Sequence, residues 1–144
     1  MNENIEMLNY IHKNAEMGQD SINKLLNIVD NSKFKTMLNG QFKEYKSIYD
    51  ESEKLLKNYT TEIKNINPIQ KIEANIMIDM KTLKDKSPSN ISEMLIQGST
   101  MGTIKMVKRL NQYKNKVDNN VYSLGKKLLS TEEHNIEDCK VFLG

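Results

Sequence analysis

Cysteine is almost missing from this chain of 144 residues, and the lone Cys139 excludes an internal disulfide and suits a reducing compartment. Tryptophan is absent, and there are only two prolines and six glycines beside many Lys, Glu, Leu, Ile and Met, a balance that suits an all-helical protein. Arginine occurs once, at Arg109, whereas arginine forks dominate base reading and bidentate phosphate recognition, so nucleic acid is disfavoured as a partner. The net charge of +2 comes from 21 basic and 19 acidic residues spread over the whole length. No apolar run approaches the roughly 18 residues of a membrane span, so no membrane partner is expected. The first residues, Met-Asn-Glu-Asn-Ile-Glu-Met-Leu, lack a positive region followed by an apolar one, so no secretory signal is visible and the cytoplasm is the expected location. No glycine-rich phosphate loop, zinc-type Cys/His set or hydrolase serine elbow occurs either.

What is present is helical periodicity. Ile5, Leu8, Ile11, Ala15, Gly18, Ile22, Leu25, Leu26 and Val29 follow one another in threes and fours, predicting a buried helix face over about 4–29. Asp30-Asn31-Ser32 favours a turn, and its shortness folds the next helix back antiparallel. That second helix, about 33–66, carries Phe34, Leu38, Phe42, Tyr45, Ile48, Tyr49, Leu55, Leu56, Tyr59, Ile63 and Ile66. Asn67-Pro68 ends or kinks it, and Pro68 can open a shorter helix over 68–84. After Asp85-Lys86-Ser87-Pro88 comes a helix over 90–117, capped by Ser89 or Asn90, with Glu93 in its first turn. Asp118-Asn119-Asn120 turns the chain into a last helix over 120–142. Gly98 and Gly102 each cost about 1 kcal/mol of helix propensity relative to alanine. Keeping both predicts close helix packing, first within the monomer and second in a homodimer. The fold expected for the single domain 1–144 is a four-helix bundle of two antiparallel hairpins joined by a long, partly helical crossover.

The stretches 85–102 (Asp-Lys-Ser-Pro-Ser-Asn-Ile-Ser-Glu-Met-Leu-Ile-Gln-Gly-Ser-Thr-Met-Gly) and 132–143 (Glu-Glu-His-Asn-Ile-Glu-Asp-Cys-Lys-Val-Phe-Leu) resemble ferritin-like bundle proteins of Gram-positive bacteria, some of them akin to spore-coat proteins. The resemblance implies the ferritin-like form of the bundle and a setting in sporulation. Ferritin-like enzymes set a Glu on each of two helices and a Glu-x-x-His on each of the other two, all pointing inward. Here the pattern is broken: Glu44 is followed at the third position by Ser47, and His134 is preceded three residues earlier by Thr131.

In a tight antiparallel hairpin, residues equally far from the turn sit at one level. Gln19 then lies level with Glu44, with Gln41 a turn away, and Lys105 lies level with Glu132. Rotation by 100° per residue puts Gln19, Gln41, Lys105 and Glu132 near their apolar stripes, with Glu44 at an edge. The expected centre is a buried polar cluster in which Lys105, paired with Glu132, takes the electrostatic place of a metal. No cofactor is expected on this reading, and the protein acts as a structural or interaction module through a partner protein or self-association. The alternative is a divergent carboxylate site in which Glu16, Glu44 and Glu132 hold iron or manganese.

Other features have an ordinary and a functional reading. His12 is a boundary histidine, or a base beside Glu16. His134 projects from the core face, and Glu132, Glu133 and Glu137 form a solvated acidic face or a surface cation site. Tyr45, Tyr49 and Tyr59 are core aromatics with tethered hydroxyls, or an electron path. Met77, Met80, Met94, Met101 and Met106 are core filling or an adaptable partner-binding face. Cys139 reads as an inert buried thiol.

Overall fold

The computed structural model describes residues 2–60 and 83–144. Four α-helices and no strand are found among the described residues: α1 (Glu3–Leu26), α2 (Ser32–Thr60), α3 (Pro88–Tyr113) and α4 (Asn119–Lys140). The expected helix over 68–84 and the end of the second helix beyond Thr60 lie outside the described residues.

Local chemistry sets the ends. The Asn4 amide donates to Oδ1 of Asn2, which caps α1, and Glu3 and Glu6 place negative charge at its positive pole. The helix stops at Leu26, short of the predicted 29, because the Ile28 and Val29 amides both turn back to the Leu25 carbonyl. Val29 is nevertheless buried. Asn31 caps α2 by accepting from the Phe34 amide at 2.9 Å. The cap of α3 is Ser87, not Ser89 or Asn90: its hydroxyl accepts from the Asn90 amide at 3.2 Å, and Pro88 occupies the first turn, where its missing N–H costs nothing. At its other end α3 stops at Tyr113, four residues short of the expected 117, where Asn115 takes a left-handed conformation, φ 63°.

α1 packs along α2 and α3 along α4, and the hairpins meet chiefly through α2 and α4. At one end of the bundle the Asp118 carboxylate accepts from the Tyr59 hydroxyl, while the Asp118 amide donates to Asn4 Oδ1 at 2.7 Å. The start of α1, the end of α2 and the α3–α4 turn therefore share one level, which makes each hairpin antiparallel. At the other end Phe34 packs edge-on against Phe142 with centroids 5.0 Å apart, and the Gly144 amide donates to Ser89 Oγ. Between these ends lies one apolar core that includes Met7, Leu8, Ile11, Leu25, Leu38, Ile48, Ile91, Met106 and Leu128. Close approach falls at Gly125, where a Cβ would stand 2.8 Å from the Met7 methyl and 3.1 Å from Leu110. At Gly98 a Cβ would meet nothing within 4 Å, so the close packing expected there is absent. No described helix is long and apolar enough to cross a membrane.

Candidate functional site

A polar seam runs through this core, built mostly by α2 and α4. Gln41, Ser52, Ser92, Thr131, Glu132 and Asn135 are all buried. Its centre is Glu132, 8% exposed, whose Oε2 accepts from the Tyr45 hydroxyl at 3.0 Å. The two side chains stand on α4 and α2, so this bond joins the hairpins. Two glycines make room for it. A Cβ on Gly18 would lie 2.7 Å from the Tyr45 ring, and one on Gly102 would lie 3.1 Å from Glu132 Oε1. Gly102 thus serves a carboxyl niche rather than the backbone contact expected of it.

The electrostatics follow from burial. Among the described residues no ammonium or guanidinium forms an ion pair with Glu132. Burial pushes its pKa from 4.5 up to about 7, opposed in part by hydrogen bonding from the Tyr45 and Ser99 hydroxyls. The Tyr45 phenol is raised well above its usual value by its own burial and then by the Glu132 charge. Further along the seam, Gln41 Nε2 reaches Met37 Sδ at 2.9 Å and Cys139 Sγ at 3.5 Å. Burial raises the Cys139 thiol, which fits the inert reading. Ser92 lies beside the Cys139 thiol and Asn135 beside the Tyr45 hydroxyl.

The expected cluster is thus assembled in part. Gln41 and Glu132 are in the core, at 4% and 8% exposure. Gln19 is half-buried and donates to the Ala15 carbonyl of its own helix, outside the seam. Lys105 is half-buried, and the ion pair with Glu132 is not formed. By helical rotation it lies about a quarter-turn from the line of Ile91, Met106 and Tyr113, enough to keep its long stem at the boundary.

The alternative metal set does not converge. Glu16 pairs with Lys13 at 3.1 Å, Glu44 is exposed, and Glu132 is held by hydroxyls. Among the described residues no group of three or more His, Cys, Asp or Glu side chains is placed to hold a metal ion. A single buried carboxyl does not supply the several carboxylate and imidazole donors that paired iron or manganese need.

His12 stacks on Tyr49 with centroids 4.2 Å apart, and its Nε2 stands 3.8 Å from Glu53, a neighbour on α2 that spacing along α1 alone did not indicate. Burial lowers its pKa against the pull of Glu53 and Glu16. His134 is exposed beside Ser130, and Glu133 and Glu137 are exposed as well. Tyr59 reaches Asp118, and burial with that bond pushes its pKa up to about 12. Met106 is buried, Met94 half-buried and Met101 exposed, while Met77 and Met80 lie outside the described residues.

Tyr45 is the core aromatic with a tethered hydroxyl that was expected, but its partner across the hairpins, Glu132, was not indicated by periodicity. The available signal was Gly18, a small residue on the facing stripe of α1. No family model, curated protein or solved structure matches this chain.

Proposed function

We propose that this chain is a cytoplasmic ferritin-like bundle without di-metal chemistry that works as an interaction protein, binding a partner through the outer face of α3. The observation that carries the reading is a ridge of three exposed apolar side chains at i, i+3 and i+6: Met101, Ile104 (52% exposed) and Val107. They stand on the same helix whose inner face closes over Glu132.

Charge selects the kind of partner. From Met94 to Val117 the chain contains no acid, while Lys105, Lys108, Arg109, Lys114 and Lys116 are all basic. A second copy laid on this ridge would set lysine against lysine, whereas an amphipathic helix with acidic flanks would meet both the apolar ridge and its rim. The resemblance noted in the sequence suggests a sporulation setting for such a partner.

The test uses a synthetic amphipathic helix with a leucine ridge and glutamate flanks, titrated into the labelled full chain. Amide shifts concentrated over 97–108, lost in Ile104→Glu and with lysine-flanked peptide, are the expected result. Equal binding of both peptides, or shifts elsewhere, would overturn the partner reading. Concentration-dependent dimerisation in sedimentation, abolished by Ile104→Glu, would replace it with self-association.

A further inference from the structure

We propose that Glu132 is a proton-controlled pin: the bundle closes α2, α3 and α4 around the neutral acid, and ionisation of that carboxyl loosens α3. The geometry is a three-helix junction. Oε2 is tied to Tyr45 on α2, and Oε1 lies 3.1 Å from the point a Gly102 Cβ would occupy, so α3 rests on the carboxyl with no side chain between them.

The groups facing it supply hydroxyl donors but no paired cation. From α1 comes the Tyr10 phenol, and from α2 the Tyr45 phenol. α3 supplies the Ser99 hydroxyl, and its nearby cations are otherwise placed: Arg109 sits 4.4 Å over the Tyr10 ring, and Lys105 makes no ion pair with the carboxyl. On α4 itself, Glu133 and His134 are exposed, and the buried Asn135 side chain, one turn on, is engaged with the Tyr45 hydroxyl. A charged Glu132 has only the Tyr45 and Ser99 hydroxyls to offset its burial, and needs further donors to be fully solvated. Water is the available donor. On α3, Gly102 puts no side chain over the carboxyl, and a Cβ at Gly98 would meet nothing within 4 Å.

Burial keeps the folded acid protonated to about pH 7, against 4.5 for the ordinary group. Between those values the folded chain holds a proton that the unfolded chain has released. The stabilisation is complete below the lower value and is lost as pH rises through the upper one. Burial lowers the His12 pKa, so its contribution runs with the opposite sign. Its contribution is common to the parent chain and a Glu132 variant, and it cancels between them.

Hydrogen exchange of the full chain, corrected for intrinsic rate, at about pH 6 and about pH 8 tests the pin, with carboxyl infrared absorption alongside. Protection over residues 99–106 is expected to fall about tenfold in the parent chain relative to Glu132→Gln between the two pH values. A protonated-carboxyl band at the lower pH, absent from the variant, is expected too. Tyr45→Phe keeps the ring in the Gly18 niche but removes the donor, and moves the loss of protection to higher pH. Equal pH dependence in parent and Glu132→Gln, no protonated band, or an unmoved transition in Tyr45→Phe would each overturn the proposal.

Discussion

At the scale of single residues, the two glycines singled out in α3 have opposite surroundings. Gly98 faces open space, so Gly98→Ala is expected to stabilise the fold by about 0.5–1 kcal/mol through helix propensity and a less flexible unfolded chain. Gly18→Ala would press a methyl to 2.7 Å from the Tyr45 ring, which cannot retreat without breaking its bond to Glu132. A loss of about 1–3 kcal/mol is expected there. Urea unfolding of the two variants checks both signs. Periodicity located Glu132 and Gln41 in the core because a stripe is a property of one helix. It misplaced Lys105 because a flexible lysine at a stripe's edge is free to keep its ammonium in water. A pair across two helices depends on both rotations at once, and small errors in each add.

At the scale of elements, the order and type of the four described helices were legible, since each carries its apolar residues in steps of three and four over several turns. The ends were less so. Ser87, Ser89 and Asn90 are all competent caps by composition, and the choice falls on Ser87 because Pro88 is best placed just inside a helix start. Asp85 reinforces that choice: its side chain accepts from the Ser87 amide at 2.9 Å, and its carbonyl accepts from Asn90 Nδ2 at 2.7 Å. Ser87→Ala is therefore expected to cost about 1 kcal/mol in thermal unfolding. It should also lower exchange protection in the first turn of α3. Ser89→Ala, which leaves the cap untouched, should spare that turn.

At the scale of the whole molecule, two antiparallel hairpins were foreseen from the short turns at 30–32 and 118–120, and Phe34 and Asp118 show how the ends are closed. The way the hairpins dock was not legible, because it rests on a polar seam that no single stripe announces. Phe34, in the first turn of α2, is wholly buried and packs against Phe142 beyond α4. Phe34→Ala is expected to remove about 3–5 kcal/mol, a large part of the roughly 5–15 kcal/mol typical of a domain. Thermal unfolding followed by circular dichroism measures it. The Tyr45–Glu132 bond also has an optical side. With no tryptophan in the chain, near-ultraviolet emission comes from its six tyrosines. A phenol whose hydroxyl is given to a carboxylate emits less than one given to a neutral acid. The molecule therefore carries its own lamp at the junction of its helices, one that dims as Glu132 surrenders its proton and stays lit when glutamine stands in its place.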